Sequence, residues 1–290
     1  MNKERQAALI LVATTWLAAF GWIFSKETIQ GFPPIGFIGL RFIIASLCLL
    51  PFCFRAMRST TLRALLPAVL TGCILCCSVM CWIHAISISE TIGEGAFIAS
   101  LSMLMVPIVA WILFRERPKR IFWLSLPIAM AGLASLSLVG GWHSSMSQLW
   151  FAASAALLAL HFNVNSQYSQ RLPVLLLTCV QLFSAGCLAS VIAFFTESMP
   201  TSIPAPIWGW FALSTLLATS LRYVMQTLGQ KNIRAGNAAL IMILEPVWTV
   251  ILSIVWYGEV FSLNKMVGCS LILLALLLYR TDGRLFRLKR

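Results

Sequence analysis

Residues 93–120 read GEGAFIASLSMLMVPIVAWILFRERPKR. Between Glu94 and Arg115 no residue carries a charge. A helix needs about 20 mostly apolar residues to cross a bilayer, and this run supplies them. It ends in Arg115, Glu116, Arg117, Lys119 and Arg120, a connection basic enough to be held on the inner side during insertion. A second stretch, GNAALIMILEPVWTVILSIVWYGE at 236–259, has the same build: small residues, a long apolar run, then Glu. Its outgoing connection differs, because Lys265 is the one cation before the next apolar run. The two stretches read as one unit written twice and, by charge, pointing in opposite directions.

Working outward, ten apolar stretches are predicted as spanning helices: 6–25, 33–54, 64–86, 92–114, 119–140, 148–169, 173–195, 207–229, 235–257 and 263–281. Pro33-Pro34, Pro118, Pro173 and Pro204/Pro206 stand at helix starts, where a missing N–H costs least. The short connections alternate between basic and non-basic. Of the 21 Lys+Arg, Lys26 and Lys265 fall on one side, Arg41 and Arg222 fall within spans, and all the others fall on the opposite side. Positive residues near helix ends stay in the cytoplasm, so both termini are expected there, with a basic tail at 282–290.

The chain is 60% hydrophobic and 10% charged, where a soluble domain carries about 25% charged residues. Ten spans leave no room for a soluble domain. The net charge of +12 is accounted for by topology and attraction to anionic headgroups. Nucleic acid is not an expected partner, because the basic residues are spread over short loops and the tail. Lys3 and Arg5 followed by an apolar run to Phe24 imitate a signal peptide, but no convincing cleavage site follows. This segment is expected to be retained as the first span.

The nine cysteines sit in or at the ends of apolar stretches, which is not a disulfide framework. Cys73, Cys77, Cys81 and His84 share one stripe of the third span. Neighbours at i,i+4 are already about 6 Å apart, so one helix offers at most two ligands to an ion, and no metal site is expected. There is no Walker loop, dinucleotide-binding fingerprint or HExxH, so neither ATP use nor a cofactor is expected.

One constant shift places Gly93 on Gly236, Ala96 on Ala239, Ile98 on Ile241, Leu101 on Leu244, Ile108 on Ile251 and Glu116 on Glu259. The first half holds five spans, an odd number, so the second half must be inverted. The repeats are placed at 1–142 and 143–281, divided at Gly140-Gly141 and the polar run to Gln148. The expected fold is an all-α integral membrane protein of ten transmembrane helices arranged as two inverted five-helix repeats. Inverted repeats are common in alternating-access carriers, with the substrate near the midplane between halves.

Several motifs stand on this frame. Pro33-Pro34 leads into Gly39-Leu40-Arg41-Phe42, and Trp82 to Ala96 reads WIHAISISETIGEGA. Tyr223 to Ala239 reads YVMQTLGQKNIRAGNAA, followed by Leu244-Glu245-Pro246-Val247, Gly258-Glu259 and Gly268. On these residues, and over essentially the whole chain, the sequence resembles the EamA-like branch of the drug/metabolite transporter superfamily. The resemblance implies an inner-membrane carrier, often an exporter of amino acids or other small metabolites. The first half departs from the motif: Met103 stands at the position of Pro246, Pro107 is displaced, and Arg115 replaces the Gly before Glu116. Any bend in the fourth span is therefore expected to differ from the ninth. Pro246, Glu116 and Glu259 are read as structural or gating positions.

Polar groups within a bilayer are costly and must face protein, water or a partner. Glu245, near the middle of the ninth span, is a candidate coupling site for a proton or the partner of a substrate ammonium. Its other reading is a structural ion pair, or a hydrogen bond to backbone freed by Pro246. Arg41 and Arg222 are candidate cations for a substrate carboxylate or for Glu245, with Arg222 near enough to the surface to snorkel. Ser154, His161, Asn165 and Tyr168 form one stripe of the sixth span, suited to line a wet cavity or to bond between helices. Trp16 and Trp248 lie deep, and Trp248 is three residues from Glu245, on the same face. An aromatic beside a carboxylate suits an ammonium-bearing or aromatic substrate. Trp22 and Trp82 lie near span ends and read as part of the interfacial belt.

The expected function is a secondary carrier exporting amino acids or related small metabolites by alternating access. A proton is the candidate coupling ion, and the partners are a small molecule and the lipid bilayer. Rival readings are an importer of a nucleobase, vitamin or sugar derivative with the same fold, and a membrane-embedded lipid-modifying enzyme. The enzyme would need a catalytic cluster at one face. His84, His143 and His161 lie at different depths, and Asp282 is the single Asp.

Overall fold

A computed structural model describes residues 3–88, 92–138, 145–198, 200, 202–258 and 262–280. The helices are α1 (Lys3–Thr28), α2 (Pro34–Ser59), α3 (Leu62–Ser87), α4 (Ile92–Phe114), α5 (Arg120–Ser137), α6 (Met146–Ser169) and α7 (Val174–Thr196). They continue with α8 (Ala205–Thr215), a π-helical turn (Leu216–Leu221), α9 (Arg222–Asn232), α10 (Ala235–Met242), α11 (Glu245–Tyr257) and α12 (Leu263–Arg280). Together they make ten spans: α8, the π turn and α9 form the eighth, and α10 with α11 the ninth. Glu259, Glu90, Gly140, Gly141, His143, Asp282 and the 282–290 tail lie outside the described residues.

Among the described residues, six stretches are long and apolar enough to cross a membrane by length and composition: α1, α2, α3, Phe97–Phe114, α7 and Ala235–Tyr257. Pro33, Pro173 and Pro204 cap α2, α7 and α8. The start of α2 is also held from the other repeat. The Glu197 carboxylate accepts hydrogen bonds from the backbone N–H of Ile35 (3.0 Å) and Gly36 (2.7 Å), satisfying donors that a first turn leaves free.

Helix packing is symmetric between the halves. The second span, α2, lies along the seventh, α7; the fifth, α5, lies along the tenth, α12; and α4 meets α10 of the ninth. The third packs on the sixth, and the first on the eighth; the fourth packs on the sixth, and the first on the ninth. Exchanging the halves turns each of these pairs into the other. The α2–α7 and α5–α12 pairs rest on glycine. A Cβ on Gly186 would lie 2.7 Å from the Ile43 backbone N, and one on Gly268 would lie 2.8 Å from the Gly132 carbonyl oxygen. Such small residues let backbones touch where lipid offers no hydrophobic drive to pair helices.

The repeat also survives in backbone conformation. The residue after α4 is Arg115 at φ 59°, and the residue after α11 is Gly258 at φ 65°. Both are left-handed helix caps, and in the sequence each directly precedes a Glu. Glycine adopts this conformation freely, whereas a residue with a Cβ pays about 1–2 kcal/mol.

Two spans expected to be continuous are not. The ninth breaks at Ile243 and Leu244, where the Leu244 N–H closes a tight turn on Ile241 O (3.1 Å). Pro246 has no N–H with which to carry the ladder across. Its counterpart α4 runs unbroken through Met103. In the eighth span, Thr219 Oγ1 and Ser220 Oγ donate to carbonyls five residues back, at 2.9 and 3.0 Å. One inserted residue turns α9 by about 100° relative to α8.

Candidate functional site

Glu245 is the first residue of α11, so the break in the ninth span sets its carboxylate at a helix N-terminus, where free N–H groups and the helix dipole favour negative charge. From α1, the Trp22 indole N–H donates to Glu245 Oε1 (3.0 Å). From α9, Arg222 Nη2 stands 3.7 Å from Glu245 Oε2. Arg222 also lies over the Tyr223 ring, 5.1 Å from its centroid. Trp248, one turn past Glu245, donates its indole N–H to Thr15 Oγ1 (3.0 Å) and stacks on Trp16 with centroids 4.5 Å apart. Trp22 meets Trp82 of α3 edge-on at 6.0 Å. A carboxylate, a guanidinium and a wall of indoles thus converge from four spans. The Glu245 and Arg222 side chains are 23% and 19% exposed, so the pair is accessible rather than sealed.

Arg41 takes a different place. Its Nη1 donates to Ser25 Oγ (2.9 Å) and Ser214 Oγ (3.1 Å), tying α2 to α1 and α8, and its guanidinium lies over Phe37 and Phe42. It makes no ion pair with Glu245 among the described residues.

The sixth-span stripe faces other helices in this conformation. His161 Nε2 pairs with Gln181 Oε1 of α7 (3.1 Å), and Asn165 Nδ2 donates to Thr227 Oγ1 (3.2 Å) and Gln230 Oε1 of α9. Ser154 Oγ donates to Ser78 O of α3 (2.8 Å). His161 and Asn165 are fully buried, and Tyr168 packs beside Ala68, Leu172 and Leu177. These side chains fill interhelical seams and do not form an open wall beside Glu245.

Two residues placed near span ends in the sequence have partners inside the protein: the Trp22 indole N–H donates to Glu245 and its ring meets Trp82 edge-on, and Arg222 makes the pairing with Glu245 that was one of its two sequence readings. The partners Thr15, Ser25 and Ser214 were not singled out by sequence reasoning. Ser25 lies three residues from Trp22 on α1, and that polar pair on one helical face was the available signal.

Glu116 lies between α4 and α5, its backbone N–H donating to Ala110 O (3.1 Å). It borders two cavities of about 290 Å³ each at the basic end of the molecule. One includes Asn163, Ser166, Lys231 and Arg234; the other includes Arg117, Lys119, Arg234 and Asn237. Further in, the same end is closed. Ala238, Ala239 and Met242 of α10, which precede Glu245, pack with Ala7, Leu11, Val106 and Phe162 in a buried apolar cluster. Around Glu245, by contrast, Trp16 and Trp22 keep 37% and 48% of their surface exposed.

The EamA-like transporter family matches residues 5–138 and again 145–281. The chain is 24% identical over 289 residues to a Bacillus subtilis (strain 168) protein named uncharacterized transporter YetK, covering 94% of this chain and 86% of that one. It is 23% identical over 274 residues to the Escherichia coli (strain K12) protein named uncharacterized inner membrane transporter YedA, covering 90% and 86%. A solved crystal structure superposes with a TM-score of 0.84 over 99% of both chains at 17% identity, a likeness of fold.

Proposed function

The chain belongs to the EamA-like transporter family, and on that premise we propose that this multi-pass membrane transporter exports amino acids or related ammonium-bearing metabolites across the inner membrane. The observation that carries the reading is the placement of Glu245 at the start of α11, between Arg222 and Trp22 and beside the Trp16–Trp248 stack. A zwitterion complements this pair group for group. Its ammonium replaces Arg222 at the Glu245 carboxylate, its carboxylate takes the Arg222 guanidinium, and its side chain lies on the indoles.

Proton coupling follows from the same carboxylate. A protonated Glu245 has no charge to offer an ammonium, so proton and substrate compete for one site and are carried in opposite directions. A ligand moves a conformational equilibrium only by its differential affinity for the two states, and discharge of Glu245 supplies such a difference. The break at Ile243–Leu244 supplies the hinge, since short non-helical segments absorb the backbone rotation of alternating access. With the basic end placed in the cytoplasm, the buried cluster around Leu11 and Met242 closes the inner route, and the exposed indoles belong to an outward-open state. Arg41 holds the outer rim, and His161, Asn165 and Tyr168 support the wall from behind.

Efflux from proteoliposomes loaded with mixed amino acids and small metabolites tests this reading. Selective loss of ammonium-bearing solutes, accelerated when the outer solution is acidified, is the expected result. Loss restricted to sugars, nucleobases or organic anions contradicts it.

A further inference from the structure

Behind the Arg222–Glu245 pair, six polar side chains are buried where α6, α7 and α9 meet: His161, Asn165, Thr178, Gln181, Thr227 and Gln230, each with at most 1% exposure. They bond to one another without saturating. Thr178 Oγ1 donates to Thr227 Oγ1 (3.3 Å), and Gln230 Nε2 donates to Phe162 O (3.3 Å). His161 Nδ1, Gln181 Nε2, Asn165 Oδ1 and Arg222 Nε have no protein partner among the described residues. Turning the Gln181 amide over and moving the imidazole proton exchanges the roles of the atoms, but still leaves one ring nitrogen and one amide atom unmatched. Internal water is the usual partner of buried donors and acceptors that the protein leaves unmatched, wherever a polar site has room for it.

The cluster connects at both ends. Toward the basic end, Asn165 and Gln230 adjoin Ser166 and Lys231, which line the 290 Å³ cavity that Glu116 borders. In the other direction, Arg222 opens α9, the helix that carries Thr227 and Gln230, its Nε is buried without a partner among the described residues, and its Nη2 pairs with Glu245. Alongside runs the apolar closure formed by Leu11, Val106, Phe162 and Met242.

We propose that this polar file is hydrated and is the route by which protons pass between the basic end and Glu245 while the substrate path at that end is shut. The inference rests on the carrier reading above and gives its coupling ion a separate path. The groups facing Glu245 are Arg222 from α9 and Trp22 from α1; those facing His161 are Gln181 from α7 and Arg222 from α9. Water accepts a proton at one side and releases another at the other, so no side chain of the file itself needs to change charge.

Two measurements on the full chain test it. The first is an experimental map of the wild type fine enough to show ordered water, about 2 Å. Water within hydrogen-bond distance of His161, Gln181 and Asn165 is expected, and a dry cluster overturns the proposal whatever solutes the protein moves. The second uses Thr227→Val and Thr178→Val, each of which keeps the side-chain shape and removes a hydroxyl from the file. Each is expected to keep solute counterflow, which moves no net protons, and to lose about tenfold in proton flux reported by an internal pH dye. Unchanged proton flux in both variants overturns the route. Wild-type net efflux of solute down its own gradient with no accompanying proton uptake overturns it as well, and leaves the carrier reading standing. Absence of all counterflow alongside a hydrated file defeats the carrier reading instead.

Discussion

Arg222 Nη2 and Glu245 Oε2 lie 3.7 Å apart, joining the residue that follows the π turn of the eighth span to the residue that follows the break of the ninth. The residue inserted at the π turn rotates Arg222 by about 100° about its helix, and the break at Ile243–Leu244 makes Glu245 the first residue of α11.

The pair should be measurable as coupling. Arg222→Leu, Glu245→Gln and the double variant form a cycle, and residues in direct contact couple by about 0.5–3 kcal/mol. The two side chains remain about a fifth exposed, so a value in the lower half is expected from thermal unfolding in detergent. Additive effects would show that the two groups do not interact.

Trp248 should report the aromatic wall. Trp248→Ala removes the stack on Trp16 and the bond to Thr15, whereas Trp248→Phe removes the bond and keeps a ring. Aromatic pairs contribute about 0.5–1.5 kcal/mol beyond area, so KM for an aromatic or ammonium-bearing solute should rise about tenfold in the Ala variant and much less in the Phe variant. Equal KM values in both would remove the ring from the site.

How much of this was legible in the sequence depends on what a bilayer hides. Spans and charge bias were legible because lipid demands long apolar runs and insertion sorts cations; the helices found at 34–59, 62–87 and 174–196 overlap the expected 33–54, 64–86 and 173–195 throughout. Which face of a helix looks inward was not legible, because lipid and protein core are both apolar and the helical periodicity of soluble proteins is lost. Trp22 was therefore assigned by its nearness to a span end, although its partner lies across the protein. The sixth-span stripe was legible as polar, but periodicity alone does not distinguish an open cavity from the seams with α3, α7 and α9 that its members fill. The π turn had no signal beyond Thr219 and Ser220, residues whose hydroxyls take up the carbonyls it frees.

Gly186 tests the symmetric packing. A Cβ there would stand 2.7 Å from the Ile43 backbone N, and neither helix can yield locally. Overpacking of this kind costs about 1–3 kcal/mol, so Gly186→Ala should lower the melting temperature, while Gly209→Ala, with no atom within 4 Å of its Cβ position, should not. A neutral Gly186→Ala would contradict the close approach of α2 and α7.

Arg115 offers the opposite sign. It holds φ 59° at a position where the other repeat has Gly258 at φ 65°. Arg115→Gly should stabilise the protein by about 1 kcal/mol by relieving the left-handed conformation. A loss of stability would show that the side chain contributes more than its backbone costs.

The most direct test of the central claim compares two transport modes in Glu245→Gln proteoliposomes. If Glu245 is where proton and substrate compete, the variant loses acceleration by a pH gradient. Substrate counterflow falls too, because an amide offers no charge to an ammonium. Gradient-driven transport with the wild-type pH dependence would contradict the claim and return Glu245 to a structural partner of Arg222 and Trp22.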